Sequence, residues 1–227
     1  MTVYGTREHA AEVADELEKL YPQAECALEY EGEDWKLLVM ARLSAQCTDK
    51  RVNEVCKRLF EKYRSPYMLA KGKLSDVEDI IRPCGLYHVK ARDIIGEAVL
   101  LTEEYDGRLP DSMEELLRFP GVGRKVANLL LGDLFGKPAV VVDTHCIRLS
   151  ERLGLVPENT KDPYAIEKML SAVLPPEKQS DFCHRIVTFG REYCPARGQK
   201  CDGCPLARLC RYHSAHGNQK KRRTAVC

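Results

Sequence analysis

An all-α fold is what this sequence predicts, and three observations predict it. Apolar residues recur at helical spacing in nearly every segment. Capping residues, prolines and glycines punctuate those segments, and no polar–apolar alternation runs long enough to build a sheet. The 227 residues are 44% hydrophobic and 30% charged, the balance of a soluble globular chain able to bury one large or two modest cores. There is no signal peptide and no apolar run of membrane-spanning length, which points to an intracellular protein without a membrane partner.

The elements follow in order. Arg7–Leu20 is acidic and amphipathic, with Ala10, Val13, Leu17 and Leu20 on one face and Tyr21-Pro22 ending it. Asp34–Leu43 comes next, buried around Leu38, Val39 and Met40. The stretch LSAQCTDK interrupts it, and Asp49 is expected to cap a helix whose face includes Val52, Val55, Leu59 and Phe60. Helical patterns then cover Pro66–Lys71, Ser75–Ile81, Lys90–Tyr105 and Ser112–Arg118, the last with Asp111 or Ser112 as its cap. A Pro-Gly-Val-Gly turn opens into a helix with Val126, Leu129, Leu130 and Leu134 along one face. The run Ala139–Val142 is too short to imply a sheet. It ends at Asp143, an expected N-cap for a helix carrying Ile147, Leu149 and Leu153. Asp162–Leu174 and Lys178–Arg191 complete the series, with breaks at Pro175-Pro176 and Gly190.

The turn is where chemistry enters. Gly121 and Gly123 lack Cβ atoms, so the backbone turns tightly and another molecule can approach it closely. The amides of Gly121, Val122 and Gly123 then face outward with the positive end of the helix dipole, a ready phosphate site flanked by Arg124. Lys125 stands in the first helical turn, where a cation opposes the dipole, and apolar neighbours would strip water from its amine. Both effects favour the uncharged form that a nucleophile needs. Eighteen residues on, Asp143 can cap its helix with one oxygen and present the other to a site.

Net charge is +1, but it is unevenly placed. Residues 1 to 34 hold ten acidic and two basic side chains, a net of −8, leaving 33 basic and 24 acidic residues, a net of +9, in the remainder. A polyanion would be held by the larger part, with the acidic arm turned away.

Eleven cysteines in an intracellular chain argue for metal binding over disulfides. Cys194, Cys201, Cys204 and Cys210 are separated by 6, 2 and 5 residues in a loop rich in Gly and Pro, a strong metal signal. Zinc and an iron–sulfur cluster both accept four thiolates, although zinc loops more often use two close pairs. Arg197, Lys200 and Arg208 in that loop suit the cluster's charge or a phosphate. The other seven cysteines read as packing residues. The tail, 214–227, carries Lys220-Lys221-Arg222-Arg223 and no acid; it is expected to be disordered, with a salt-sensitive affinity for nucleic acid or a targeting role.

PGVGRK, followed after eighteen residues by the aspartate of VDTH, resembles the helix-hairpin-helix DNA glycosylase superfamily, and within it endonuclease III. LSAQ-x-TD around Gln46, GLY-x-x-KA around Leu86 and the cysteine spacing carry the same resemblance, which covers roughly residues 27 to 211. It implies a bifunctional DNA glycosylase and abasic-site lyase of base excision repair, acting on oxidised or otherwise damaged pyrimidines. Lys125 would attack the sugar C1′ and Asp143 would assist base departure. Gln46 and Leu86 would fill the gap left by an extruded base, with His88, Lys90 and Arg92 near the DNA backbone. His145 would be structural or face a phosphate. Cys194, Cys201, Cys204 and Cys210 would hold a [4Fe-4S] cluster.

The resemblance also implies two helical domains flanking a DNA groove: a six-helix domain at 27–137, and a discontinuous one joining 1–26 to 138–213. The partner would be double-stranded DNA with damaged bases or abasic sites. The protein would be a monomer, in the cytoplasm or nucleoid if prokaryotic. Cys47, where the family often has a small residue, and Phe119, in place of a leucine, are mild departures. Two other readings stand beside this one. A monofunctional glycosylase would use Asp143 to activate water, but relatives of that type lack the lysine. A non-enzymatic DNA-binding iron–sulfur protein would not need Lys125 and Asp143 together.

Overall fold

The computed structural model describes residues 3–216, and every regular element within them is helical. Of the basic tail expected to be disordered at 214–227, residues 214–216 are instead helical, and the rest lies outside the described residues. Among the described residues no helix is long and apolar enough to cross a membrane.

In chain order the helices are α1 (Arg7–Leu20), α2 (Asp34–Leu43), α3 (Asp49–Lys62), α4 (Pro66–Ala70), α5 (Leu74–Ile81) and α6 (Tyr87–Glu104). Then come α7 (Met113–Leu116), α8 (Arg124–Phe135), α9 (Thr144–Leu153), α10 (Pro163–Val173) and α11 (Gln179–Glu192). Short 3₁₀ turns occupy Arg82–Cys84, Pro176–Lys178 and Ala207–Leu209. Ala139–Val142 is extended but pairs with no strand among the described residues.

Local side-chain chemistry starts most of these helices. Hydroxyls of Thr6, Thr48, Ser65 and Ser112 and the carboxylates of Asp143 and Asp162 each accept from a backbone N–H in the first turn. Asp49, expected as a cap, is instead the first helical residue, because the Thr48 hydroxyl one position earlier takes the Arg51 amide. Helix α6 begins at Tyr87, three residues before the periodicity suggested, since Gly85 and Leu86 both adopt positive φ and turn the chain directly into it.

The chain divides into two compact units, one joining the stretch to Glu25 with that from Gly136 onward, the other Cys26–Phe135. In the second unit α2 is the central rod. Eight of its ten residues are buried, and it packs on α3, α6 and α8. Leu37, Leu38, Met40 and Leu43 there, like Leu59, Leu69, Ile81 and Ile94 on α3, α4, α5 and α6, are essentially inaccessible. Each such side chain contributes about 1.5–3 kcal/mol over leaving it in water. The face of α8 differs from the expected stripe: Ala127, Leu130 and Leu131 are buried, whereas Val126, Leu129 and Leu134 are only partly covered. In the first unit α1, α9, α10 and α11 enclose Val13, Leu17, Leu149, Leu153, Ile166, Leu170, Phe182, Ile186 and Phe189.

Candidate active site

Between α7 and α8 the chain makes the expected hairpin, and its own packing fixes the shape. Phe119 is buried and stacks on Tyr105 at 5.5 Å between ring centres. Pro120 lies against Gly96 of α6, where an added Cβ would come within 3.1 Å of it. Gly121 has φ +73°, and a Cβ there would sit 2.3 Å from Arg42 Nε and 2.8 Å from Asp93 Oδ2. Those two side chains form an ion pair at 2.6 Å, so the turn rests on a bridge between α2 and α6 that only glycine can touch.

One expectation for the turn needs correction. The Val122 amide donates to Phe119 O at 3.1 Å and its side chain is buried, so it is closed inside the turn. Gly123 O accepts from Ala127 N, making Gly123 the residue before the first turn of α8. Among the described residues, the Gly121 and Gly123 amides have no protein acceptor, and space around Gly123 is open. Arg124 is half-buried and Lys125 exposed at the start of α8. No hydrogen bond or ion pair engages the Lys125 amine among the described residues, and water reaches it. The expected shielding by apolar neighbours is therefore absent from the chain alone, because Lys125 lies on the open side of the helix.

Gln46 (φ +55°) and Leu86 (φ +49°) are both exposed, Leu86 by 59%, and both hold the left-handed backbone that a branched or long side chain rarely adopts. His88 is exposed, with Nδ1 3.0 Å from Glu78 Oε1, and Arg92 is exposed.

Lys90 is a second correction. It is completely buried, and its Nζ donates to Leu43 O (2.8 Å), Ala45 O (2.7 Å) and Cys84 O (2.9 Å). All three protons of the ammonium are used, so it cannot meet a phosphate. Burial lowers its affinity for the proton, opposed in part by Cys84 and Cys47. Its role is to tie the backbone beside Gln46 to the backbone before Leu86.

In the other unit, Asp143 Oδ1 accepts the Cys146 amide at 2.7 Å, and Oδ2 has no protein partner among the described residues. His145, next but one, is half-buried. Burial is the largest cause lowering its pKa, opposed by Asp143 and assisted by Arg148 and Arg191. Arg148 Nη2 lies 3.2 Å from His145 Nδ1, and a guanidinium can only donate. The neutral ring therefore carries its proton on Nε2. Cys146 is fully buried, which raises its thiol well above the ordinary range and leaves it no role as a nucleophile.

Cys194, Cys201, Cys204 and Cys210 line one cavity with Leu149, Phe189 and Tyr212. Among the described residues no three His, Cys, Asp or Glu side chains converge tightly enough to hold a single metal ion. Donors nevertheless address the sulfurs: Arg152 Nη1 reaches Cys194 Sγ at 3.1 Å, and the His213 amide reaches Cys210 Sγ at 3.4 Å. Burial pushes the Cys204 thiol up to about 11, against the Leu206 amide, and burial likewise raises Cys210. Four thiols lining one cavity, with N–H donors aimed at their sulfurs, suit a group that binds them as thiolates. Of the loop cations, Arg208 is occupied otherwise, pairing with Glu16 at 3.1 Å and Glu12 at 3.7 Å on α1.

A sequence profile of the HhH-GPD superfamily, base excision DNA repair proteins, matches residues 39–176. The endonuclease III of Synechocystis sp. is 44% identical over 205 residues, covering 90% of this chain and 92% of that protein. The chain belongs to the HhH-GPD superfamily, and within it to endonuclease III. Solved structures agree with the family. A non-covalent endonuclease III–DNA complex superposes with a TM-score of 0.86 at 41% identity, covering 94% of this chain and 99% of that one. A trapped endonuclease III–DNA covalent intermediate matches with the same score and identity, covering 93% and 99%.

Several side chains in these sites gave no signal in the sequence. Arg148 also donates to Cys194 O, and Arg152 donates to Pro195 O and Ala196 O, so α9 holds the cysteine loop from the helix that Asp143 starts. Their spacing of four residues, two turns after an Asp-Thr-His cap, was the only available hint. Arg42 and Asp93, under the hairpin, are 51 residues apart and had none.

Proposed function

We propose that the protein excises damaged pyrimidines from duplex DNA and cleaves the strand at the resulting site, with Lys125 as nucleophile. The observation that carries this reading is the hairpin: two open glycine amides lead into a helix whose second residue is a solvent-facing lysine with no partner among the described residues. A stability role is hard to assign to a cation at that dipole end.

The open amides of Gly121 and Gly123 accept a phosphate, and Arg124 adds charge beside them. Gln46 and Leu86 enter the duplex as the damaged nucleotide swings out, at a cost of a few kcal/mol. Lys125 gives up a proton as DNA displaces the water around it, and its Nζ attacks C1′. The C1′–N bond breaks and the base departs with a proton. Asp143 Oδ2, left over from capping, stabilises positive charge on the sugar. Opening of the sugar ring yields an imine between C1′ and Lys125. Loss of a C2′ proton then expels the 3′ phosphate by β-elimination, and water releases the lysine. His145, neutral and with Nε2–H as donor, suits a phosphate contact better than proton abstraction.

Cys194, Cys201, Cys204 and Cys210 hold a [4Fe-4S] cluster in this reading, whose iron–sulfur bonds cross-link the loop. The monofunctional alternative predicts base release without strand cleavage. Lys125→Gln should abolish cleavage of an abasic-site duplex and retain DNA binding; cleavage at the wild-type rate would overturn the assignment.

A further inference from the structure

The loops that bear Gln46 and Leu86 each carry a cysteine on the inner side of the turn. Cys47 follows Gln46, and Cys84 precedes Gly85-Leu86. Lys90 gathers the two backbones, with one ammonium on both Ala45 O and Cys84 O. Cys84 is close enough to Cys47 for the two thiols to act on each other electrostatically, and the buried Cys56 of α3 is close enough to feel both. All three are free thiols. Cys84 is only 2% exposed, whereas Cys47 is partly open to solvent. The chemistry proposed above uses none of them.

We propose that Cys47 and Cys84 are a reversible disulfide site that staples the two loops together and slows the enzyme on damaged DNA. The second half rests on Gln46 and Leu86 being the residues that enter the duplex; the first half does not.

The division of exposure assigns the roles. Cys47, which solvent reaches, attacks a low-molecular-weight disulfide as its thiolate. The external S–S bond breaks, a mixed disulfide forms at Cys47, and one external thiolate leaves. Cys84 then attacks the Cys47 sulfur, its proton passing to the second external thiolate as that departs. The protein pair is oxidised by two electrons and the external disulfide is reduced to two thiols. Burial raises the Cys84 thiol to about 12, while Lys90 and Arg51 oppose that rise, so Cys84 suits the resolving role and not the first attack. A bond of about 2.05 Å between the two sulfurs would tie the two turns to each other. Both turns hold a residue in left-handed backbone, so a link between them would restrain the two segments that bear Gln46 and Leu86.

The test uses the iron-loaded full chain, incubated without oxygen with oxidised glutathione, then alkylated and digested without reduction for mass spectrometry. In parallel, cleavage of an abasic-site duplex is timed before and after dithiothreitol, with the iron–sulfur absorbance followed throughout. The expected result is a peptide linked through Cys47 and Cys84. Cleavage should slow roughly tenfold, within the usual range of coupling between sites. It should recover with dithiothreitol at constant cluster absorbance. Cys47→Ala and Cys47→Ser should cleave normally and ignore the oxidant. No Cys47–Cys84 peptide, or a link through Cys56 instead, overturns the site. A linked peptide with unchanged cleavage overturns the stapling. A reduced protein that never cleaves the duplex would sink the proposed function, while the peptide map would still decide the disulfide.

Discussion

The hairpin and the cysteine loop are both glycine-containing connections between helices, yet they are held in opposite ways. The hairpin is fixed by the protein's own contacts: Phe119 is buried, Pro120 touches Gly96, and Gly121 rests on the Arg42–Asp93 pair. The cysteine loop is anchored at its start by guanidinium donors from α9, and its four thiols face a cavity. A phosphate site must exist before its ligand arrives, because binding otherwise bears the cost of ordering the amides. A cluster site has no such need, since the bonds of the bound group do the ordering.

The largest effect should come from removing one of the four thiols proposed to hold the cluster. Cys204→Ala should lose iron and sulfide and strip hydrogen-exchange protection from α9 and α11, with α2 and α6 still protected. Full protection in α9 and α11 without iron would erase the contrast.

Lys90→Met comes next. It leaves two buried carbonyls, at about 1–3 kcal/mol each, and the part-buried Ala45 carbonyl without their donor, so urea denaturation should show a loss of several kcal/mol. A loss below about 1 kcal/mol would mean that the loops do not depend on that ammonium.

A glycine pair sharpens the account of the hairpin. Gly121→Ala adds a Cβ at positive φ against the Arg42 side chain and should cost about 2 kcal/mol, with a clear loss of DNA affinity. Gly123→Ala meets open space and should cost less than about 1 kcal/mol. Equal costs would refute the packing argument.

The smallest effect has an unusual sign. Glu97 on α6 is fully buried, neither carboxyl oxygen has a hydrogen-bond partner among the described residues, and burial raises its pKa well above the ordinary carboxylate range. Above about pH 4.5 the unfolded chain releases a proton that the folded one keeps, so this group erodes stability as pH rises toward its folded value. Glu97→Gln should raise the melting temperature at pH 7 and change little at pH 4. A lower melting temperature at pH 7 would show that the charged carboxylate is needed.

The helices were legible because their signals are local: caps such as Ser112 and Asp162, prolines, and periodic apolar faces lie within a few residues of each other. Lys125, Asp143 and the four loop cysteines stood out through type and spacing. Lys90 was misread for a physical reason. A lysine in a motif suggests a phosphate contact, and nothing local reveals that the turns at 43–45 and 84 place three carbonyls around it. Val122 was misread likewise, since its amide looks open until the turn closes on Phe119. The Arg42–Asp93 pair depends on two helices 51 residues apart meeting at a glycine, which no window of sequence contains.

The most direct test of the central claim is borohydride trapping. Wild type and Lys125→Gln would each be mixed with a duplex carrying one abasic site, reduced, and run on a denaturing gel. A covalent protein–DNA band in wild type that is lost in the variant is the predicted result. The same band in both, or in neither while both bind DNA, would contradict the assignment of Lys125 as the imine-forming nucleophile.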